Sequence, residues 1–464
     1  MTSQDFSASD VSYVRDTIAA RATAPGIGGV GIIRISGPLV SDIAEALLGK
    51  IPSERHATYT TFRESDQTAI DSGLALYFQS PDSFTGEDVL ELQGHGGPIV
   101  LDMLLSRIVG LGARIALPGE FSQRAFLNDK IDLAQAEAIA DLIHSGSRQA
   151  ARSAMRSLKG EFSRRVNTLV SSVILLRVYV EAAIDFPEEE IDFISDERVS
   201  IDLDQLVSTL DELLRTAGDG ALLNEGADVV LLGKPNAGKS SLMNQLTGEE
   251  TSIVTDIPGT TRDVIDQQLE IDGIPLRLLD TAGIRDSENT IEAEGVRRAL
   301  AAKASADLII AIVDTNQTLE EMLSDIRELD LGERCILVGN KIDLAGSHSA
   351  LGPDALLSLG LVEDIVPMSA MTGEGLPALK AAIKQTLGFN GSESTFAARS
   401  RHIAALKRAQ ASLASGHKCL SEHQAGELLA EELKDVQRHL SEITGEFSSD
   451  DLLGEIFSSF CIGK

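Results

Sequence analysis

The sequence predicts a multidomain α/β protein: an N-terminal α+β domain, then a helical domain interrupted by an inserted α/β domain with a mostly parallel sheet. Three observations predict it. Short β-like runs separated by turns fill the N-terminal part. Ala-rich stretches with helical spacing stand on both sides of a central region. Within that region apolar runs end in loops, and the first loop is Gly233-Lys234-Pro235-Asn236-Ala237-Gly238-Lys239-Ser240. The expected boundaries are 1–128 for the N-terminal domain, 129–223 and 390–464 for the two helical halves, and 224–389 for the insert.

The balance of 40 Lys and Arg against 71 Asp and Glu gives a net charge of −31. So acidic a surface argues against non-specific coating of nucleic acid, while leaving room for a local basic patch that docks one RNA. There is no Trp, and aromatics make up 4%, which argues against a stacking platform for single strands. Cys335, Cys419 and Cys461 lie far apart and form no C-x-x-C, as expected of a reducing compartment without a disulfide framework or zinc site. No apolar run is expected to reach a membrane span, and the start, Met1-Thr2-Ser3-Gln4-Asp5-Phe6, lacks the basic and apolar regions of a signal peptide. A soluble cytoplasmic protein is the expectation.

Residues 1 to 14 read as a polar tail. Gly26-Ile27-Gly28-Gly29-Val30-Gly31 formally contains G-x-G-x-x-G, but the strand-like run Val30 to Ile35 follows it. A dinucleotide fingerprint needs a helix there, so this is a glycine turn between strands. Leu74 to Phe78 and Val89 to Leu92 read as strands, and Gly97 to Val109 as a helix. From Asn128 the pattern becomes helical: Asp129 to Ile143, Gly160 to Ala183 and Leu203 to Leu214, with Phe186-Pro187-Glu188 as a break. Helical spacing returns at Thr395 to Ser415 and Glu427 to Ile443. Arg148, Arg152, Arg156 and Lys159 share a helical face, as a phosphate-contacting stripe or a solvated surface. Arg399, Arg401, Lys407 and Arg408 form a second basic cluster.

The chemistry lies in the insert. Val229 to Leu232 is a short apolar strand, and Gly238-Lys239-Ser240-Ser241 opens a helix. This is the G-x-x-x-x-G-K-[ST] phosphate loop in its required setting. Its amides converge on one centre at a helix N-terminus, Lys239 reaches the β- and γ-phosphates, and the Ser240 hydroxyl holds Mg²⁺. Leu276 to Leu279 leads into Asp280-Thr281-Ala282-Gly283, where Asp280 meets a metal-bound water and the Gly283 amide senses a γ-phosphate. Ile336 to Gly339 leads into Asn340-Lys341-Ile342-Asp343. The Asp343 carboxylate can accept two hydrogen bonds from guanine, a pattern adenine lacks, so the wrong base leaves a buried charge unpaired. Val366 to Ala370, with Ser369 and Ala370, offers a backbone N–H to the guanine carbonyl. Between loop and Asp280, Thr261 or Thr260 is the switch hydroxyl for Mg²⁺. The order describes a Ras-like GTPase that binds GTP and GDP. Ile284 stands where such enzymes carry a water-orienting Gln, so a substitute is needed, and residues 285–294 supply polar side chains.

Outside the insert stand Gly28-Gly29-Val30-Gly31-Ile32-Ile33-Arg34-Ile35-Ser36-Gly37, Ser83-Phe84-Thr85-Gly86-Glu87-Asp88, Pro118-Gly119-Glu120-Phe121, Ala125-Phe126-Leu127-Asn128-Asp129-Lys130 and the terminal Phe460-Cys461-Ile462-Gly463-Lys464. On these runs and the GTPase motifs together, essentially the whole chain resembles the tRNA-modification GTPases of the MnmE (TrmE) type. The resemblance implies hydrolysis assisted by potassium in place of an arginine finger, with Asn236 as a ligand and Thr255, Ile257 and Thr260 completing the cage. A cation there would neutralise charge developing on the phosphates. It implies that Glu292 positions the attacking water. It implies a folate-binding N-terminal domain that also forms the homodimer, with Arg34, Glu91, Lys130 and Lys464 around 5-formyltetrahydrofolate or a related folate, and Cys461 as a possible reactive thiol. Basic groups suit the folate carboxylates, and a Glu suits the pterin N–H groups. It further implies a flavoprotein partner of the MnmG type, in a heterotetramer, and tRNA as substrate, with an aminomethyl or carboxymethylaminomethyl group added at C5 of the wobble uridine. A ribosome-assembly GTPase of the Era or Der kind, or a nucleotide-switched scaffold, would share the insert but not the flanks.

Overall fold

Residues 16–185, 197–249, 266–280, 306–329, 334–344, 365–391, 395–423, 425–446, 450–458, 460 and 463 are described in the computed structural model. They divide into two compact units, 1–140 with 158–170 and 437–464, and 141–157 with 171–436.

The first unit is built on a sheet of order β3-β4-β5-β2-β1-β6. Its strands are β1 (Ile18–Arg21), β2 (Gly28–Ser36), β3 (Thr58–Arg63), β4 (Ala69–Phe78), β5 (Val89–Gly96) and β6 (Arg114–Ile115). All neighbours are antiparallel except β1 and β6. Alternation decides which face is covered. Ile33, Ile35, Leu90, Leu92, Ala75 and Phe62 are buried with Val40, Ile43 and Leu47 of α1 (Val40–Leu48) and Leu104 and Ile108 of α2 (Pro98–Gly110). Arg34 and Glu91, one position out of step, occupy the other face as directly opposed partners. The Gly26 to Gly31 segment enters β2, as the sequence reading required, and no helix follows it. Next come α3 (Glu120–Leu127) and α4 (Leu133–His144). Leu133, Ala136 and Ala140 of α4 share a core with Phe457 and Phe460. Phe457 belongs to α13 (Asp450–Ser458), so the C-terminal end of the chain is built into the N-terminal unit.

The second unit contains the insert. Its sheet order is β12-β11-β10-β7-β9-β8. The strands are β7 (Ala227–Leu232), β8 (Asp266–Ile271), β9 (Ile274–Asp280), β10 (Leu308–Asp314), β11 (Cys335–Asn340) and β12 (Ile365–Pro367). Only β8 is antiparallel. Continuous apolar runs such as Leu308 to Val313 are what a parallel strand covered on both faces needs. The helices of the insert are α8 (Lys239–Glu249), α9 (Leu319–Leu329) and α10 (Leu376–Thr386).

The remaining helices are α5 (Arg148–Leu158), α6 (Glu161–Asp185), α7 (Glu197–Glu225), α11 (Ser400–His423) and α12 (Gly426–Thr444). The two helical halves meet where the insert begins and ends. The Asn390 amide donates to Asp219, and the Ser400 amide donates to Glu225. At Gly220 in α7 a Cβ would lie 1.9 Å from the Phe396 carbonyl oxygen, so only glycine permits the approach. One expectation needs correction. By length and composition α6 is apolar enough to cross a membrane: within residues 161–184 an 18-residue window has mean hydropathy 1.4, and a third of that window is buried. Part of its apolar content is explained by packing: Val173, Leu176, Val180 and Ala183 are buried at helical spacing.

Candidate functional site

The parallel strands of the insert deliver their loops to one edge, the carboxyl ends where α/β sheets bind ligands. β7 runs into the phosphate loop. Beside it, β9 places Asp280 in register with Leu231. β10 and β11 place Asp314 opposite Asn340. Gly238 has φ of +106°, and a Cβ there would lie 2.0 Å from Asn340 Nδ2, so glycine is required on both counts. Asn236, exposed at the turn, has φ of +65°, a left-handed conformation that Asn tolerates better than other side chains do. Lys239 is buried at the start of α8 and donates to the Gly233 and Lys234 carbonyls at 2.8 and 3.0 Å. Ser240 is exposed and Ser241 half-buried. Lys234 pairs with buried Asp325 at 2.7 Å and with Glu328 at 3.3 Å, tying the loop to α9; these bonds hold its ammonium above the usual pKa.

The base end is organised by Asn340, which is 2% exposed. Its Nδ2 donates to the Ala237 carbonyl at 2.8 Å, and its Oδ1 accepts the Ala370 amide at 2.9 Å. One side chain thus joins the phosphate loop to the loop after β12. Within the stretch Val366 to Ala370, expected to offer a backbone N–H to guanine, the Ala370 amide is engaged by Asn340. Ser369 is fully buried, and its hydroxyl accepts the Met371 and Thr372 amides at 3.3 and 3.2 Å. Lys341 has φ of +71° and reaches Asp314 at 2.6 Å. Burial pushes the Asp314 carboxyl upward, but the Lys341 and Asn316 hydrogen bonds outweigh it and leave the pKa below the usual value. Asp343 lies in the short turn Ile342–Leu344 and is exposed, its carboxylate free to meet a base.

In the first unit, Arg34 Nε donates to Glu91 at 2.9 Å. The Arg34 guanidinium also lies 5.5 Å from the Phe84 ring centre and 5.7 Å from that of Phe121. Lys130 is exposed, and its stem crosses Gly86, where a Cβ would lie 3.2 Å from Lys130 Cε. The loop carrying Phe84 and Gly86 is anchored by charges that the sequence reading did not single out. Arg124, 3% exposed, donates to Glu87 at 3.0 Å, Asp16 at 2.6 Å and Glu120 at 3.0 Å. Arg114 joins Asp16 and Glu120, both at 2.6 Å. Ser36 Oγ bonds Glu87 and Thr85 at 2.7 Å. Burial opposes ionisation of Asp16 and Glu120, yet the arginine bonds hold both below their usual pKa values. The one signal for this cluster was Arg124 four residues after Glu120, the spacing of an ion pair along one side of α3. Gly463, next to the terminal Lys464, is seated where a Cβ would lie 2.2 Å from the Arg21 carbonyl oxygen.

A model of the MnmE helical domain matches residues 133–461, and one described as the N-terminus of the GTP-binding protein TrmE matches 17–130. The chain is 55% identical over 458 residues to the tRNA modification GTPase MnmE of Chromohalobacter salexigens, covering 97% of this chain and 99% of that one. It is 56% identical over 460 residues to the MnmE of Stutzerimonas stutzeri, with the same coverage. This chain belongs to the MnmE family of tRNA modification GTPases. Era of Aquifex aeolicus bound to GDP.AlF4- is similar over 40% of this chain, at 27% identity and a TM-score of 0.28, a likeness too slight to argue from.

As a member of the MnmE family the chain is a GTP hydrolase, a protein that binds GTP and GDP. The structure brings Gly233, Asn236, Ala237, Gly238, Lys239, Ser240 and Ser241 into one loop and helix start. It joins them to Asn340 and Ala370, with Lys341, Asp343 and Ser369 alongside. Thr255, Ile257, Thr260, Thr261, Thr281, Ala282, Gly283, Glu292, Cys461 and Lys464 lie outside the described residues, and of Asp280 only the backbone is described.

Proposed function

We propose that this chain couples GTP hydrolysis to modification of C5 of the wobble uridine of tRNA, acting with a flavoprotein of the MnmG type in the cytoplasm. The observation that carries the reading is the extent of the family match. It covers the N-terminal and helical regions as well as the insert, whereas a ribosome-assembly GTPase of the Era or Der kind would share only the insert.

GTP sits on the 233–241 loop, with Lys239 turning from the Gly233 and Lys234 carbonyls to the phosphates and Ser240 holding Mg²⁺. Asp343 reads guanine, and Asn340 keeps the two loops in register. Exposed Asn236 offers an amide oxygen to a potassium ion, which supplies positive charge beside the phosphates; Thr255, Ile257 and Thr260 are its further ligands. Thr261 or Thr260 supplies the switch hydroxyl, Asp280 to Gly283 sense the γ-phosphate, and Glu292 orients the water. In the N-terminal unit Arg34, Glu91, Lys130 and Lys464 hold the folate, which supplies a one-carbon unit. The Arg34–Glu91 pair supports this: it offers a cation and a carboxylate side by side beside the half-exposed Phe84 ring. Two protomers join through N-terminal domains spanning 1–128, with the helical domain of 129–223 and 390–464 carrying the GTPase domain of 224–389.

The experiment is mass spectrometry of wobble uridine in tRNA from cells lacking the protein. Loss of the C5 aminomethyl and carboxymethylaminomethyl groups is expected. Fully modified tRNA together with unprocessed ribosomal RNA would overturn the reading.

A further inference from the structure

The chain carries 31 more acids than bases, yet residues 142–157 and 394–421 contain no Asp or Glu. The first stretch bears Arg148, Arg152 and Arg156, and the second bears Arg399, Arg401, Lys407, Arg408 and Lys418. More than two hundred residues separate them in sequence, so nothing local forces them together. In the fold they are in direct contact. The Ala397 amide donates to the Ser153 carbonyl at 3.2 Å, Arg156 donates to the Thr395 carbonyl at 3.1 Å, and Ser157 Oγ donates to the Ala397 carbonyl at 2.8 Å. Arg399 anchors the junction by reaching Asp141 at 2.6 Å.

Of Arg148, Arg152, Arg156 and Arg399, two are structural and two are not. Arg156 and Arg399 are bound within the unit as just described. Arg148 and Arg152 are exposed, and among the described residues neither makes an ion pair. They are four residues apart on α5, so they project from one face roughly 6 Å apart along the axis. The opposite face, Ala150, Ser153, Ala154 and Ser157, is buried. A helix whose whole exposed charge is unpaired arginine, on a protein this acidic, stands out from a surface that repels polyanions elsewhere. Guanidinium forks match phosphate oxygens two bonds at a time, which ammonium groups cannot do. The element also has a way into the GTPase domain. Ser147 Oγ accepts the Ala150 amide at 3.0 Å and donates to the Gly273 carbonyl at 3.1 Å, in the turn of the β8–β9 hairpin. That hairpin links residues 250–265 to the Asp280 strand.

We propose that the exposed face of α5, with Arg148 and Arg152 as its phosphate-binding groups, is the surface on which this protein docks RNA. The proposal rests on the reading of tRNA as substrate and names where that substrate meets this chain. The test is binding of fluorescent tRNA by the full-length protein across 50–200 mM KCl, comparing wild type, Arg148→Glu/Arg152→Glu, and a control Arg198→Glu/Lys434→Glu that changes net charge equally. Each phosphate contact contributes about 0.7–0.9 to the slope of log affinity against log salt, so two lost contacts should lower it by about 1.5. We expect at least a tenfold loss of affinity at 100 mM for the α5 variant, and less than a twofold change for the control. Arg148→Gln/Arg152→Gln gives the same answer if charge reversal prevents folding. Equal losses in variant and control, no loss in either, or binding to anionic vesicles as tight as to tRNA would overturn the proposal. Wild type that binds no tRNA would also overturn it, while the wobble-uridine measurement judges the functional reading by itself.

Discussion

Asn340→Ala is the substitution whose effect the structure defines most sharply. The side chain is 2% exposed and fills both ends of a span between two loops, Nδ2 to the Ala237 carbonyl and Oδ1 to the Ala370 amide. Ala237 and Ala370 are themselves only 5% and 6% exposed, so water cannot easily replace the lost partners. Leaving a buried donor or acceptor unpaired costs about 1–3 kcal/mol each, and two such groups give roughly 2–4 kcal/mol once local relaxation is allowed. If that energy is expressed as disorder between the loops, GDP affinity falls by about 30- to 1,000-fold, at 1.4 kcal/mol per tenfold. The assay is equilibrium titration with a fluorescent GDP analogue, paired with thermal melting. Asn340→Asp sharpens it. The acceptor for Ala370 is kept, while a carboxylate replaces the donor facing the Ala237 carbonyl, so its loss should equal or exceed that of the alanine variant. Affinity within fivefold of wild type in both variants, with unchanged melting, would refute the strut assignment.

Asp343→Asn should shift preference from guanosine to xanthosine nucleotides in competition binding, because the exposed carboxylate is assigned the ring N–H and exocyclic amine of guanine. Glu292→Ala should lower the hydrolysis rate by a factor on the order of 10² or more while leaving GTP affinity within a few-fold, and replacing potassium by sodium should slow wild-type turnover; equal loss of rate and affinity would place Glu292 elsewhere. The N-terminal unit should lose stability in acid. Asp16 and Glu120 are held below their ordinary values of 3.8 and 4.5, so the stability they contribute is complete above about pH 4.5 and lost as pH falls through their lowered values. Melting between pH 3 and 6 should show a wild-type decline below about pH 4.5, and a flat profile there would contradict the sign.

What was legible in the sequence was whatever a short stretch of chain decides alone. The phosphate loop, Asp280 and Asn340 to Asp343 each follow an apolar strand, and the sheet places those strand ends along one edge because parallel strands must all finish on the same side. The role of Asn340 was less legible. Its motif advertises base binding, whereas its two hydrogen bonds run to residues 103 and 30 positions away within the protein. The Arg124 cluster was hidden for the same reason: Asp16, Glu87, Arg114 and Glu120 are spread over a hundred residues of sequence, and only the fold gathers them. Non-local pairing also explains why the two acid-free stretches looked unrelated. Thr395 to Ala397 lie against α5 only in the fold, across more than two hundred intervening residues. The positions that local pattern could not assign are thus those that tie separate segments together, and a GTPase that acts on another molecule needs such ties between nucleotide and substrate. The Ser147–Gly273 bond, at 3.1 Å, is such a tie, joining the start of the basic helix to the hairpin leading into Asp280.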